Sequence, residues 1–344
     1  MELKDIKSLT LYELENEISG LGERGYRAKQ IYRWLNLGIK TFDEMTDISK
    51  SFREKLKQNY MIANADIERK LVSNIDGTIK YLFKLYDGEY VEAVLMKYNH
   101  GYSICISTQV GCKMGCKFCA TGKSGFSRNL LPSEMLAQIQ TAQIDNDIRI
   151  SNIVLMGMGE PLDNYDNVMK FLLLVSSPDG MNIGMRHISL STCGIVDKIY
   201  ALADEKMQLT LSISLHATND KKRNEIMPIN QKWNMESLIK ACRYYSNKTR
   251  RRISFEYTMI NGVNDSEEDA KELSRVLKGI ISHVNLIPMN NIENGQYNRS
   301  SKKRIENFTK VLEKNGVNAT VRRTLGADIN ASCGQLKRRA QQGR

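Results

Sequence analysis

The sequence predicts an α/β fold: an open (β/α)6 partial TIM-type barrel with a helical N-terminal domain and a small antiparallel β extension. Three observations predict it. Apolar residues recur at helical spacing through the first 60 or so positions. Runs of β-type residues broken by Asp-Gly turns fill positions 66 to 107. From Tyr102 to about Asn290, six short apolar strands alternate with helical segments, the pattern of a parallel sheet covered by helices. A standard barrel of this type closes with eight such units, so six predict an open one. The expected division is a helical domain at 1–64, the antiparallel strands at 65–101, the barrel at 102–290 and a C-terminal extension at 291–344.

Taken in order, Thr10 and Glu13 have capping-box spacing, and Leu11, Leu14 and Ile18 follow at helical intervals until Gly20. A second helix, about 27–35, carries Arg27, Lys29 and Arg33 beside Ile31 and Trp34. Asp76-Gly77, Asp87-Gly88 and Asn99-His100-Gly101 divide the next region into an antiparallel meander. The barrel strands are expected at 103–107, 152–156, 187–191, 209–215, 253–259 and 284–287, with helices between them such as 133–144 and 266–280. The closing segment holds one helix, one strand and a basic tail.

The composition, 41% hydrophobic and 26% charged over 344 residues, is that of a soluble globular protein. No apolar run approaches the ~18 residues of a membrane span, and the N-terminus mixes acids and bases with no apolar core, which argues against a secretory signal. A net charge of +11 favours a polyanionic partner. Seven cysteines, an odd number with three of them inside 112–119, argue against a secreted disulfide framework and for a metal site in a reducing compartment.

Those three, Cys112, Cys116 and Cys119, have Cys-x3-Cys-x2-Cys spacing on one tight loop after the first barrel strand. Three thiolates satisfy three irons of a 4Fe–4S cube and leave the fourth iron open to a ligand. The alternative is a zinc knuckle completed by Cys105 or His100, although zinc sites usually pair two Cys-x2-Cys units and the sequence has no second one. Gly157 to Glu160, Ser191, Ser214 to His216 and Asn290 all fall at C-terminal ends of expected strands, the face on which such folds do chemistry. Glycines there let backbone approach a ligand, and Glu160 can accept from an ammonium group. His216 also reads as an ordinary structural histidine. Glu92 shares a strand face with Tyr90, Val94 and Met96, where burial would suit its carboxyl to proton transfer; its head could equally sit in water. Cys333 lies in a small, polar stretch that is poor core material, so reactivity explains it better than packing. Cys193 and Cys242 read as structural. Among basic groups, Lys221-Lys222-Arg223 falls on the active face and Arg128 trails the cysteine loop, while Arg250-Arg251-Arg252 falls on the far face, Lys302-Lys303-Arg304 at a helix start, and Lys337-Arg338-Arg339 near Cys333.

The cysteine motif followed by a β/α partial barrel resembles the radical S-adenosylmethionine superfamily. The segments STQVGCKMGCKFCATG, GFSRNL, GMGEPLDN, SLHA and GADINASCGQL, in that order, are similar to the RlmN/Cfr family of RNA-methylating enzymes, over nearly the whole chain. Thr108-Gln109-Val110 and Gly159 to Asn164 look more like the RlmN branch. The resemblance implies one 4Fe–4S cluster per chain and S-adenosylmethionine held by Gly159, Glu160, Ser191, Ser214, Leu215 (through backbone), His216 and Asn290. It implies that Cys333 takes a methyl group from one S-adenosylmethionine and that a second is split to a 5′-deoxyadenosyl radical. That radical abstracts hydrogen from the S-methyl group, whose carbon then adds to the base. Glu92 would take the proton, and Cys105 would release product as a Cys105–Cys333 disulfide. The implied substrates are adenine 2503 of 23S rRNA, at carbon 2, and adenine 37 in tRNA, with flavodoxin or ferredoxin as electron donor to a cytoplasmic monomer. The branch related to Cfr would methylate carbon 8 instead. The rival from another class is a zinc-stabilised, non-catalytic RNA-binding protein.

Overall fold

The computed structural model describes residues 3–290 and 296–336. Helix α1 (Leu11–Gly20) begins at the expected capping box: Thr10 Oγ1 accepts from the Glu13 N–H at 3.3 Å, and Glu13 Oε2 accepts from the Thr10 N–H at 2.8 Å. Leu14 and Ile18 form its buried stripe. Helix α2 (Tyr26–Asn36) buries Ala28, Ile31, Tyr32 and Leu35, which leaves Lys29 and Arg33 exposed. Arg27 is turned back on the protein, donating to Gln30 Oε1 and to the Asp47 carbonyl. Helix α3 (Lys50–Asn59) completes the N-terminal unit. This unit is fastened to the barrel because Gln140 Nε2 satisfies the Leu35 and Asn36 carbonyls at the end of α2.

The main sheet has ten strands among the described residues, and their spatial order follows the chain without a crossing. Strands β1 (Ala65–Val72), β2 (Ile79–Leu85), β3 (Tyr90–Tyr98) and β4 (Gly101–Cys105) pair antiparallel. The turns before β2, β3 and β4 hold Gly77, Gly88 and Gly101 at positive φ, the backbone state that makes glycine the fitting residue there. Strands β5 (Ile150–Leu155), β6 (Ile188–Thr192), β7 (Thr210–Ser214), β8 (Ile253–Met259), β9 (Ser282–Pro288) and β10 (Ala319–Val321) all run parallel to β4. The two edges, β1 and β10, are not paired with each other, so the barrel is open as expected. Two features differ from the sequence expectation. The meander is continuous with the barrel sheet, and the strand of the closing segment adds a seventh parallel member.

Helices pack against this sheet. Helix α4 (Pro132–Asn146) starts one residue earlier than expected, with proline in its first turn, and is buried on nearly every side between the N-terminal unit and the sheet. Helix α5 (Tyr165–Ser176), α6 (Val196–Asp204), α7 (Asp220–Ile226), α8 (Met235–Thr249), α9 (Glu267–Val276) and α10 (Lys302–Lys314) follow the successive strands. Ser266 caps α9 with Asp269, as its spacing predicted. No helix of the described residues is long and apolar enough to cross a membrane.

Candidate active site

The cysteine loop leaves the C-terminal end of β4 and turns back over the mouth of the barrel. A short antiparallel pair, Gln109–Gly111 with Phe126–Asn129, closes it. Gly111 has φ 81°, and a Cβ there would lie 1.9 Å from the Gly125 carbonyl oxygen, so no side chain fits. Cys112 N–H donates to that same oxygen, and Cys119 N–H to the Cys116 carbonyl, which fixes the turn between the thiols. Burial pushes the Cys112 thiol up to about 12 and raises Cys116 further, each neighbouring thiolate adding to the effect. Crowded, buried sulfurs of this kind need a cation to become thiolates together. Among the described residues no three metal-binding side chains converge on a single-ion position. The three cysteines instead line one shared cavity of ≈ 160 Å³. An all-cysteine donor set along a cavity wall fits an iron–sulfur cluster.

The same cavity is lined by Gly159, Glu160, Ser191, Ser214, His216 and Asn290, so the structure brings together all but one of the residues expected to meet the cofactor. The exception is Leu215, whose N–H donates to the Glu256 carbonyl and whose own carbonyl accepts from Arg223. Glu160 is buried; its Oε2 accepts from the Cys193 N–H at 2.7 Å and its Oε1 from the Leu162 N–H at 3.0 Å. Burial raises its pKa against those hydrogen bonds. Gly159, at φ 105°, presses against Gln109, where a Cβ would stand 2.6 Å from the Gln109 Cβ. Ser191 and Ser214 hydroxyls lie 3.4 Å apart. His216 adopts φ 55° and sits edge-on to Phe118. Its Nδ1 accepts from the Thr258 N–H, so the proton of the neutral ring is on Nε2, and burial lowers its pKa to about 3. Cys193, read as structural, also reaches the cavity wall, whereas Cys242 is fully buried away from it.

A second, smaller cavity of ≈ 40 Å³ lies alongside, lined by Val94, Met96 and Tyr98 of β3 and by Cys105 at the end of β4. The two cavities share Met156, Ile287, Asn290, Arg322 and Cys333. Cys333 thus stands at their junction, and its carbonyl accepts from Asn290 Nδ2 at 3.2 Å. The segment carrying it is pinned by Ala120 N–H to the Gly334 carbonyl and by Thr121 Oγ1 to the Leu336 carbonyl. Burial pushes the Cys105 thiol up to about 12, the Cys333 thiolate adds to this, and the Arg322 guanidinium opposes it.

Glu92 lies two residues along β3 from Val94, the residue paired with Cys105, hence about 7 Å away on the same face. Its side chain is buried, with the residue only 6% exposed. The surroundings are not purely apolar, as the alternation pattern implied: Lys80 Nζ lies 2.9 Å from Glu92 Oε1, and the same ammonium donates to the Asn330 carbonyl, three residues before Cys333. Lys80 was invisible to the pattern because it comes from the neighbouring strand β2.

The structure corrects two readings of the basic groups. Arg128 makes two 2.8 Å bonds to the buried Glu134 and another to Asp87, so it is a structural cation. Arg223 is 0% exposed and points inward, donating to the carbonyls of Cys193, Ser214 and Leu215 and to Asn230 Oδ1. It therefore fixes two strand-end loops that line the larger cavity. Lys222 pairs with Asp269, which leaves Lys221 as the exposed member of that run. Arg304 pairs with Asp265 and Lys302 lies near Glu306. Lys337, Arg338 and Arg339 lie outside the described residues. The sequence reading also missed Arg322 and Glu256, which line the larger cavity. An acid inside the otherwise uncharged strand ISFEYTM was the available signal for Glu256.

Comparison with known proteins bears on this site directly. A family model described as the radical SAM superfamily matches residues 106–273, and one described as the ribosomal RNA large subunit methyltransferase N-terminal domain matches residues 4–62. Proteins named "Probable dual-specificity RNA methyltransferase RlmN" from Clostridium novyi and Alkaliphilus oremlandii are each 54% identical to the chain. The alignments cover 98% of this chain and 98% and 99% of those proteins, respectively. The crystal structure of a radical SAM methyltransferase from Sphaerobacter thermophilus superposes with a TM-score of 0.91 at 42% identity, covering 97% of this chain and 99% of that one. With identity of this order over almost its full length, the chain belongs to the RlmN family of the radical SAM superfamily.

Proposed function

We propose that the protein is a radical S-adenosylmethionine RNA methyltransferase acting on carbon 2 of adenine 2503 in 23S rRNA and of adenine 37 in tRNA, through S-methylated Cys333. The observation that carries this reading is the position of Cys333 between two cavities. One is lined by the three clustered cysteines and the other by Cys105.

Carbon 2 of adenine is electron-poor and does not attack a sulfonium methyl group, so radical chemistry is required. Cys112, Cys116 and Cys119 would hold a 4Fe–4S cluster, which would supply the electron for reductive cleavage of S-adenosylmethionine to methionine and a carbon-centred radical. Residues of this chain do the rest. The Cys333 thiolate, beside the Arg322 guanidinium, accepts a methyl group from a first S-adenosylmethionine. Once hydrogen is abstracted from that methyl group, the sulfur-bound carbon joins carbon 2 of the base. Glu92, paired with Lys80, would take the proton from carbon 2 as the adduct radical gives up one electron, for which the cluster would be the acceptor. The Cys105 thiolate then attacks the Cys333 sulfur, the carbon–sulfur bond breaks, the released carbon takes up a proton to become the methyl group, and a Cys105–Cys333 disulfide remains. The apolar walls of Val94 and Met96 exclude water while this happens. Exposed Lys29 and Arg33, on a unit matching the methyltransferase N-terminal domain, supply phosphate contacts. The protein works as a cytoplasmic monomer with an electron donor of the flavodoxin or ferredoxin type.

The test is mass spectrometry of rRNA and tRNA modified by purified protein, beside the variant Cys333→Ala. Methyl groups at carbon 2, lost in the variant, are expected; methyl groups at carbon 8 would move the assignment to the Cfr branch. Anaerobically purified protein should hold about four irons per chain, whereas a single zinc would sink the radical reading.

A further inference from the structure

Strand β8 is buried along its whole length, and Glu256 in its middle is only 2% exposed. A carboxylate in such a place needs a hydrogen-bond donor for each oxygen. Oε1 has two, Ser254 Oγ at 3.1 Å and Asn285 Nδ2 at 3.2 Å. Oε2 is buried with none, and Arg322 Nη1 stands off at 3.9 Å, beyond bonding distance. Glu256 is also part of the wall of the larger cavity. The missing donor therefore belongs to the occupant of that cavity.

Strand register says which part of the occupant lies there. Glu256 is the direct partner of Ser214 on β7, and the Ser214 hydroxyl lies 3.4 Å from that of Ser191 on β6. Asn290 follows β9. Glu256 thus continues a row of polar side chains across neighbouring strands about 4.8 Å apart. The cysteine loop and Glu160, where the amino-acid end of the cofactor would be held, follow β4 and β5, four and three strands from β8, and line the same cavity. An extended S-adenosylmethionine starting there places its sugar over β7 and β8. A carboxylate only accepts hydrogen bonds, and a vicinal diol offers two donors. We infer that Glu256 Oε2 accepts a hydrogen bond from a ribose hydroxyl of S-adenosylmethionine. This inference rests on the cavity being the cofactor site.

Equilibrium binding of S-adenosylhomocysteine to full-length, cluster-reconstituted, oxidised protein tests it without turnover. Glu256→Gln should weaken binding about tenfold, the loss expected for a hydrogen bond to a charged acceptor. Independently of any variant, the 2′-deoxy or 3′-deoxy analogue should bind the unaltered protein about tenfold more weakly than the parent. Glu256→Gln should then weaken that analogue no further. Equal binding of the parent by variant and unaltered protein overturns the inference, as does equal binding of both deoxy analogues. If instead Glu256→Gln weakens the parent and both deoxy analogues but not the analogue lacking the purine amino group, Oε2 faces the base and the ribose contact is wrong. Failure of the unaltered protein to bind S-adenosylhomocysteine at all would remove the cofactor site itself, a different result from either of these.

Discussion

Replacing Lys80 by methionine tests how the proposed base is held. Lys80 and Glu92 side chains are 10% and 8% exposed, and their contact is 2.9 Å, so the pair is little screened by solvent. Removing one partner of a buried pair costs ~3–5 kcal/mol when the other stays charged. The variant can avoid that cost by protonating Glu92. For an ordinary glutamate at pH 7 this takes ~3–4 kcal/mol, at ~1.4 kcal/mol per pH unit above ~4.3. The two costs are comparable, so a substantial share of Lys80→Met carries a neutral Glu92 that cannot take a proton. Loss of a general base slows a step by ~10²–10⁴. Product release should therefore fall at least tenfold, while methylation of Cys333, which precedes it, proceeds. A covalent Cys333–RNA adduct should accumulate, visible as a slow band on a denaturing gel in single-turnover reactions, and Lys80→Arg should reverse it. Release at the unaltered rate, or an equal loss of Cys333 methylation, would refute the reasoning.

Three further predictions concern stability and RNA. His216 is neutral in the fold with a pKa of about 3, while the unfolded chain binds its proton below ~6.5. The unfolded state therefore gains stability as pH falls through that window, by ~2 kcal/mol at pH 5. Urea unfolding at pH 7 and pH 5 should show a smaller loss for His216→Asn, which tolerates the left-handed backbone and keeps an acceptor for Thr258; an equal loss would contradict the account. Arg128→Met strands the buried Glu134 and should lower stability by ~3 kcal/mol in the same assay without altering RNA affinity. A drop in affinity alone would return Arg128 to the RNA-facing surface. Neutralising Lys29 and Arg33 together should make the slope of log affinity against log salt shallower by about 1.4–1.8, at ~0.7–0.9 for each phosphate no longer neutralised. An unchanged slope would take α2 out of the interface.

Local chemistry made much of the fold legible. Capping boxes at Thr10 and Ser266, Asp-Gly turns at Gly77 and Gly88, and the change from period 3.6 to period 2 are all written within a few residues of one another. Hence the helices and strands stand close to where the sequence puts them. The cysteine spacing and the polar residues after each barrel strand were legible for the same reason: parallel strands carry their C-terminal ends to one mouth, so position along the strand already gives position in the site.

What the sequence could not give depends on which side chains meet across strands and loops. Arg223 reads as one cation in a surface run, yet its helix turns it inward onto three carbonyls. Lys80 reaches Glu92 only through the register of β2 against β3. Cys333 and Cys105 are more than two hundred residues apart in the chain and line one cavity because the C-terminal segment folds back over the sheet. The unpaired oxygen of Glu256 exists only once β7, β8 and β9 are assembled. Periodicity and turn chemistry act between neighbours in the chain and survive in the sequence. Burial, ion pairing and unsatisfied hydrogen bonds are properties of neighbours in space, and the packed structure alone decides them.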